Sequence, residues 1–152
     1  MQSTRLQQHL DRYLGIPLCV LLRLFSKQAP TTPTPKKILF IQLSALGDTI
    51  LAIPTIRSIR RAFPNTEVTM LASPTNLNYL AECPYIDRCI PFHKPGNRLI
   101  SRLRRERFDW AIDLEHWPRL SALLAYATGA PMRVGFSTKG QHRHFLFTET
   151  VP

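Results

Sequence analysis

From residue 37 onward the apolar positions switch repeatedly between two periods. Ile38-Leu39-Phe40-Ile41 is a continuous apolar run, the pattern of a strand buried on both faces of a parallel sheet. Ser44-Ala45-Leu46-Gly47-Asp48 then reads as a turn. Beyond it Ile50, Ile53, Ile56 and Ile59 recur at every third position, with Arg57, Arg60 and Arg61 opposite them. That spacing predicts a helix with an apolar face toward the sheet, ended by Phe63-Pro64-Asn65. Residues 68–71 predict a second strand, 76–82 a short helix and 89–92 a third strand, with Pro91 marking an edge or a strand end. Residues 97–107 predict a basic helix, 110–114 a fourth strand, 120–128 a helix stopped at Gly129, and 133–136 a short fifth strand. No internal repeat occurs. After Phe136 the periodicity fades.

Strands alternating with helices predict βαβ units with right-handed crossovers. The expected fold is α/β, a Rossmann-like parallel sheet with flanking helices. Ligands of such sheets sit beyond the carboxyl ends of the strands, where turns 44–48, 72–75 and 115–119 fall. The chain is expected to divide into an amphipathic helical segment, 1–28, a Pro/Thr linker, 29–35, and the sheet domain, 36–152. The apolar stretch 14–25 is interrupted by Gly15, Pro17 and Arg23. It falls short of the roughly 20 apolar residues that a spanning helix needs. Phe25-Ser26-Lys27-Gln28 offers no small-residue cleavage site for a signal peptide. Two readings of this segment stand: a helix packed on the domain, or one lying on an anionic leaflet with Arg5, Arg12, Arg23 and Lys27 around Leu and Phe.

Composition narrows the class of partner. The 152 residues are 44% apolar and 20% charged, a globular balance with room for one domain. The net charge is +10, and 15 of the 20 basic residues are Arg, which favours a polyanionic partner. Three cysteines without CxxC spacing fit neither a disulfide framework nor a zinc finger, and suit a reducing, cytoplasmic setting. Arg98, Arg102, Arg104, Arg105 and Arg107 are opposed only by Glu106. They form either a solvated helix face or a surface for acidic sugars or lipid phosphates, with Arg57, Arg60 and Arg61 contributing. No stacking aromatics interleave with them, so nucleic acid is not expected. His142 and His144 lack a third ligand and read as solvated, not as a metal site.

The first turn holds the most chemistry. It is neither a dinucleotide fingerprint nor a P-loop, since it lacks G-x-G-x-x-G and Gly-Lys-Ser/Thr. Gly47 is expected to let the backbone turn tightly, and Asp48 to fall at the start of the helix. There Asp48 is either an N-cap worth about 1 kcal/mol or a general base whose basicity the helix N-terminus weakens.

The stretch from Lys37 through Gly47-Asp48 to Pro54 resembles the opening of glycosyltransferase family 9, the ADP-heptose:lipopolysaccharide heptosyltransferases. Their first strand enters a Ser-x-x-Gly-Asp turn, with a proline six residues beyond the Asp. Ile56 to Pro64 continues the likeness. So do Pro84-Tyr85-Ile86-Asp87, Phe108-Asp109-Trp110-Ala111-Ile112-Asp113-Leu114 and Gly129-Ala130-Pro131-Met132-Arg133-Val134-Gly135-Phe136. One departure is Glu115-His116, where the family often has Gln-Gly. The resemblance spans about residues 36–136.

It implies the N-terminal, acceptor-side half of a GT-B architecture, in which a second domain binds ADP-heptose. It implies transfer of heptose to a lipid-linked, acidic core sugar with inversion, without a metal or other cofactor, at the cytoplasmic face of the inner membrane. Asp48 takes the role of general base. Ser44 and Gly47 shape the turn, and Arg57, Arg60, Arg61 and Arg119 are candidates for substrate binding. The donor half is expected to lie outside these 152 residues, leaving this chain inactive alone unless a separate donor-binding domain joins it. Two other classes stay open at this point. One is a non-catalytic module for acceptor or anionic lipid, and the other an unrelated basic Rossmann-like domain for nucleotide or nucleic acid.

Overall fold

Each apolar run becomes a strand within about a residue of its expected bounds. The computed structural model describes residues 17–22, 34–43, 46–80, 82–138 and 140–152. In chain order they form β1 (Lys37–Gln42), α1 (Leu46–Ala62), β2 (Glu67–Ala72), α2 (Pro74–Leu80), β3 (Arg88–Pro91) and α3 (Asn97–Glu106). Then follow β4 (Trp110–Asp113), α4 (Arg119–Ala127), β5 (Met132–Phe136), a 3-10 helix (Arg143–Leu146) and β6 (Glu149–Val151). The six strands pair in parallel in the order β3-β2-β1-β4-β5-β6. The expected Rossmann-like α/β fold is therefore present, and β3, with Pro91 as its last residue, is an edge strand.

Alternation along the central strands divides the core in two. Leu39, Ile41, Leu71, Ile90 and Ala111 pack with Leu103 of α3 and Ala122, Leu124 and Ala125 of α4. Ile38, Phe40, Val68, Met70 and Ile112 pack with Ala52 and Ile56 of α1 and Leu80 of α2. The crossovers thus lie on both faces of the sheet, with α1 and α2 on one and α3 and α4 on the other.

One expectation is corrected. The buried stripe of α1 is Thr49, Ala52 and Ile56, flanked by half-buried Ile53 and Ile59, whereas Ile50 is exposed. A three-residue repeat drifts around a helix. At about 100° per residue, Ile50 and Ile59 point to opposite sides. Beyond Phe136, where the sequence periodicity fades, the chain is structured. Thr148 N–H donates to Arg133 O at 2.8 Å, and β6 pairs with β5 from Val134↔Glu149 to Phe136↔Val151. Arg133 joins the two regions, its Nε donating to Leu146 O at 2.8 Å and its Nη1 to Ala130 O at 2.6 Å.

The ring of Phe147 lies directly over Gly135 in β5, where any Cβ would collide with it. Gly135→Ala is expected to lower stability by about 1–3 kcal/mol, the usual range for overpacking. A urea titration checks this, and an unchanged midpoint would show that Phe147 moves aside freely.

Residues 17–22 are helical. Cys19 is buried in the same cluster as Leu103 and Leu124, while Leu18, Val20 and Leu21 are exposed. The rest of the expected 1–28 segment, and the linker up to residue 33, lie outside the described residues. All three cysteines are free thiols, and burial pushes that of Cys89 up. Among the described residues no helix is long and apolar enough to cross a membrane.

Candidate functional site

The strand order fixes where a site belongs. From β1 the chain crosses through α1 to β2 on one side, whereas β4, on the other side of β1, is reached through α3 on the opposite face. The carboxyl ends of β1 and β4 are therefore the topological switch point, the place where open α/β sheets form their binding crevice.

On the β1 side stands Asp48, exposed in the first turn of α1. It lies inside the helix and not at the capping position before it. Its carboxylate still faces the positive end of the helix dipole. Gly47 is also helical and exposed. Unlike Gly129 and Gly140 it has no positive φ, so the expectation that it serves a tight turn is corrected. What it provides is open space, because a Cβ added there meets nothing within 4 Å among the described residues. Ser44 lies outside the described residues.

The β4 side carries groups that were not among the candidate site residues. Asp113 ends β4, is wholly buried and pairs with the buried guanidinium of Arg143 from the 3-10 helix. Burial pushes its carboxyl up to about 7, against the pull of Arg143 and of the Glu115 N–H, which donates to Oδ1 at 3.0 Å. Arg143 Nε and Nη1 have no partner among the described residues, and the guanidinium lies 5.5 Å from the Phe147 ring centre. The stretch 142–144, expected to be solvated, is thus anchored through its middle residue. Glu115 follows, 4% exposed. Its Oε1 accepts the Leu43 backbone N–H at 2.6 Å and the Gln42 side-chain amide at 3.2 Å. His116 is exposed and stacks on Phe136 with ring centres 4.1 Å apart and planes at 17°. Trp117 is exposed beside it.

The candidate arginines separate. Arg119 opens α4 at this edge, buried, with Nε donating to Gln141 O at 2.8 Å. Arg57, Arg60 and Arg61 lie about 13–20 Å along the axis of α1 from Asp48, at about 1.5 Å per residue. They sit toward the amino-terminal edge of the sheet. Arg60 donates there to Thr66 O and pairs with Asp87, whose Oδ2 accepts the Val68 N–H at 2.7 Å. On α3 and at its C-terminal cap, Asn97, Ile100, Ser101, Arg104, Arg105 and Arg107 line an open hollow of about 470 Å³, a surface apart from the crevice. Among the described residues no three His, Cys, Asp or Glu are grouped to hold a metal.

A Rossmann-like α/β domain with an exposed carboxylate at its switch point is the class of protein defined so far. No known protein-family profile matches the chain. The lipopolysaccharide core heptosyltransferase OpsX of Haemophilus influenzae is 28% identical over 113 residues, which cover 71% of this chain and 32% of that protein. The glycosyl transferase family 9 structure from Veillonella parvula superposes with a TM-score of 0.64 at 27% identity, over 77% of this chain and 35% of that one. E. coli ADP-heptose LPS heptosyltransferase II gives 0.65 at 27% identity, over 76% and 34%. The chain is therefore similar, in sequence and in fold, to the heptosyltransferases of glycosyltransferase family 9, as its sequence blocks indicate. It spans about a third of the length of these relatives.

Proposed function

We propose that this chain forms the acceptor side of a lipopolysaccharide heptosyltransferase, completed by a donor-binding domain that holds ADP-heptose. The observation that carries the proposal is the exposed Asp48 carboxylate at the β1/β4 switch point, in a chain similar to heptosyltransferases. Asp48 takes the proton of the acceptor hydroxyl as its oxygen bonds to C1 of heptose. The C1–O bond to the diphosphate breaks on the opposite face, and the anomeric centre inverts. A carboxylate suffices as the base because the hydroxyl becomes acidic as its bond to C1 forms. Trp117 and His116 offer aromatic faces to a sugar ring from the β4 side.

The partner is a lipid-linked acidic sugar at the cytoplasmic face of an anionic membrane. The exposed Arg98, Arg102, Arg105 and Arg107 suit its phosphates, and the exposed Leu18, Val20 and Leu21 supply apolar contact.

Titrating the isotope-labelled chain with a lipopolysaccharide inner-core acceptor tests this. Amide shifts are expected at Gly47, Asp48, His116 and Trp117. Anionic vesicles without acceptor should instead perturb α3 and residues 17–22. Shifts that never reach the switch point would sink the proposal.

A further inference from the structure

Glu115 is a carboxylate removed from water in the loop after β4, a placement that is costly unless its oxygens are hydrogen-bonded. Its Oε1 is taken up by two donors that belong together, the Gln42 side-chain amide at 3.2 Å and the Leu43 backbone N–H at 2.6 Å. Gln42 is the last residue of β1, and its partner Ala72 is the last paired position with β2. The Leu43 N–H is thus the first backbone donor beyond that ladder, on the way into the stretch that delivers Asp48. It is held by a side chain from across the crevice.

Glu115 is itself well fixed. Its N–H donates to Asp113 Oδ1 at 3.0 Å, Asp113 is paired with Arg143, and the preceding Leu114 N–H donates to Ile41 O at 3.0 Å. Glu115 thus holds the end of β1 at Leu43, five residues before Asp48 in the first turn of α1. We infer that Glu115 is a positioning residue for Asp48, clamping the β1 exit at Leu43 so that the base meets the acceptor hydroxyl in reacting geometry. The inference rests on the proposed role of Asp48.

Glu115→Met removes both acceptor oxygens at similar volume. Glu115→Gln keeps one. Amide exchange is read on the 152-residue chain, and turnover on that chain joined to the donor-binding half of a family 9 relative. In Glu115→Met the Leu43 amide should exchange about tenfold faster as its local protection is lost. Turnover should fall about a hundredfold, the effect of a small misplacement of a reacting group, with the acceptor KM little changed. Glu115→Gln should restore both readouts, which a merely structural role for the charge would not do.

If Glu115→Met melts early, Glu115→Asp serves in its place. It keeps the charge but is one methylene short, and the same loss of Leu43 protection is expected. A Leu43 amide as protected as in the parent overturns the proposal. So does full turnover in Glu115→Met when Asp48→Asn abolishes it. Turnover untouched in both variants overturns the role of Asp48 instead, and with it what Glu115 is said to position.

Discussion

Asp48→Asn is expected to lower heptose transfer by about two to four orders of magnitude, the usual effect of removing a general base. The assay uses the whole chain joined to a donor-binding half from a family 9 relative. The substitution keeps the size of the side chain and removes its negative charge, and with that its ability to take a proton. The competing account gives Asp48 a purely helical role, and the two differ greatly in scale. A carboxylate in the first turn of an exposed helix contributes about 0.3–1 kcal/mol through the dipole. Asp48 is exposed and belongs to neither core cluster, so its loss should hardly move the thermal midpoint. Collapse of kcat with an unchanged midpoint and acceptor KM therefore identifies the base. Near-normal turnover in Asp48→Asn would reduce the residue to a helix terminus and leave the crevice without its chemistry.

The legible part of this molecule was the part governed by continuous apolar runs. Ile38–Ile41 and Val68–Leu71 read as buried strand, and the order of strands and helices placed the 44–48 and 115–119 turns on one edge. What escaped was polar. Glu149-Thr150-Val151 is exposed throughout and becomes a strand only because β5 offers a free edge, which no local pattern announces. Arg143 sits among His142, His144 and Gln141 and reads as surface, yet its side chain is wholly buried. The one available hint lay in its partner, since Asp113 is an acid inside the apolar run 110–114 and a buried acid needs a counter-charge. Glu115 was visible as an acid following a strand, at a position where the resembled family often has Gln. Its grip on Leu43 depends on β1 and β4 being neighbours, a long-range fact that the sequence does not carry locally.

That hidden pair yields the largest stability effect expected in the chain. Arg143→Met keeps most of the side-chain volume but leaves Asp113 buried without its counter-charge. Breaking a buried pair in this way costs about 3–5 kcal/mol. The sign of the pH dependence follows from Asp113. Burial raises its folded-state pKa to about 7, above the value in the unfolded chain. In the parent protein its contribution to stability is fully present in acid and is lost as pH rises through about 7. Removing Arg143 raises that pKa further. In the variant the loss therefore continues to higher pH, after the parent has levelled off. Urea titrations of both proteins from pH 5 to 9 should show the smallest deficit in acid, where Asp113 is protonated in both. The deficit should widen above pH 7. Asp113→Asn added to Arg143→Met removes the stranded charge and should recover much of the loss, flattening the difference across the range. A deficit below about 1 kcal/mol at pH 8, or one that shrinks as pH rises, would mean that Arg143 does not neutralise Asp113. The 3-10 helix would then be held chiefly by the burial of Leu146 in the core and by the Arg133 bond to its carbonyl.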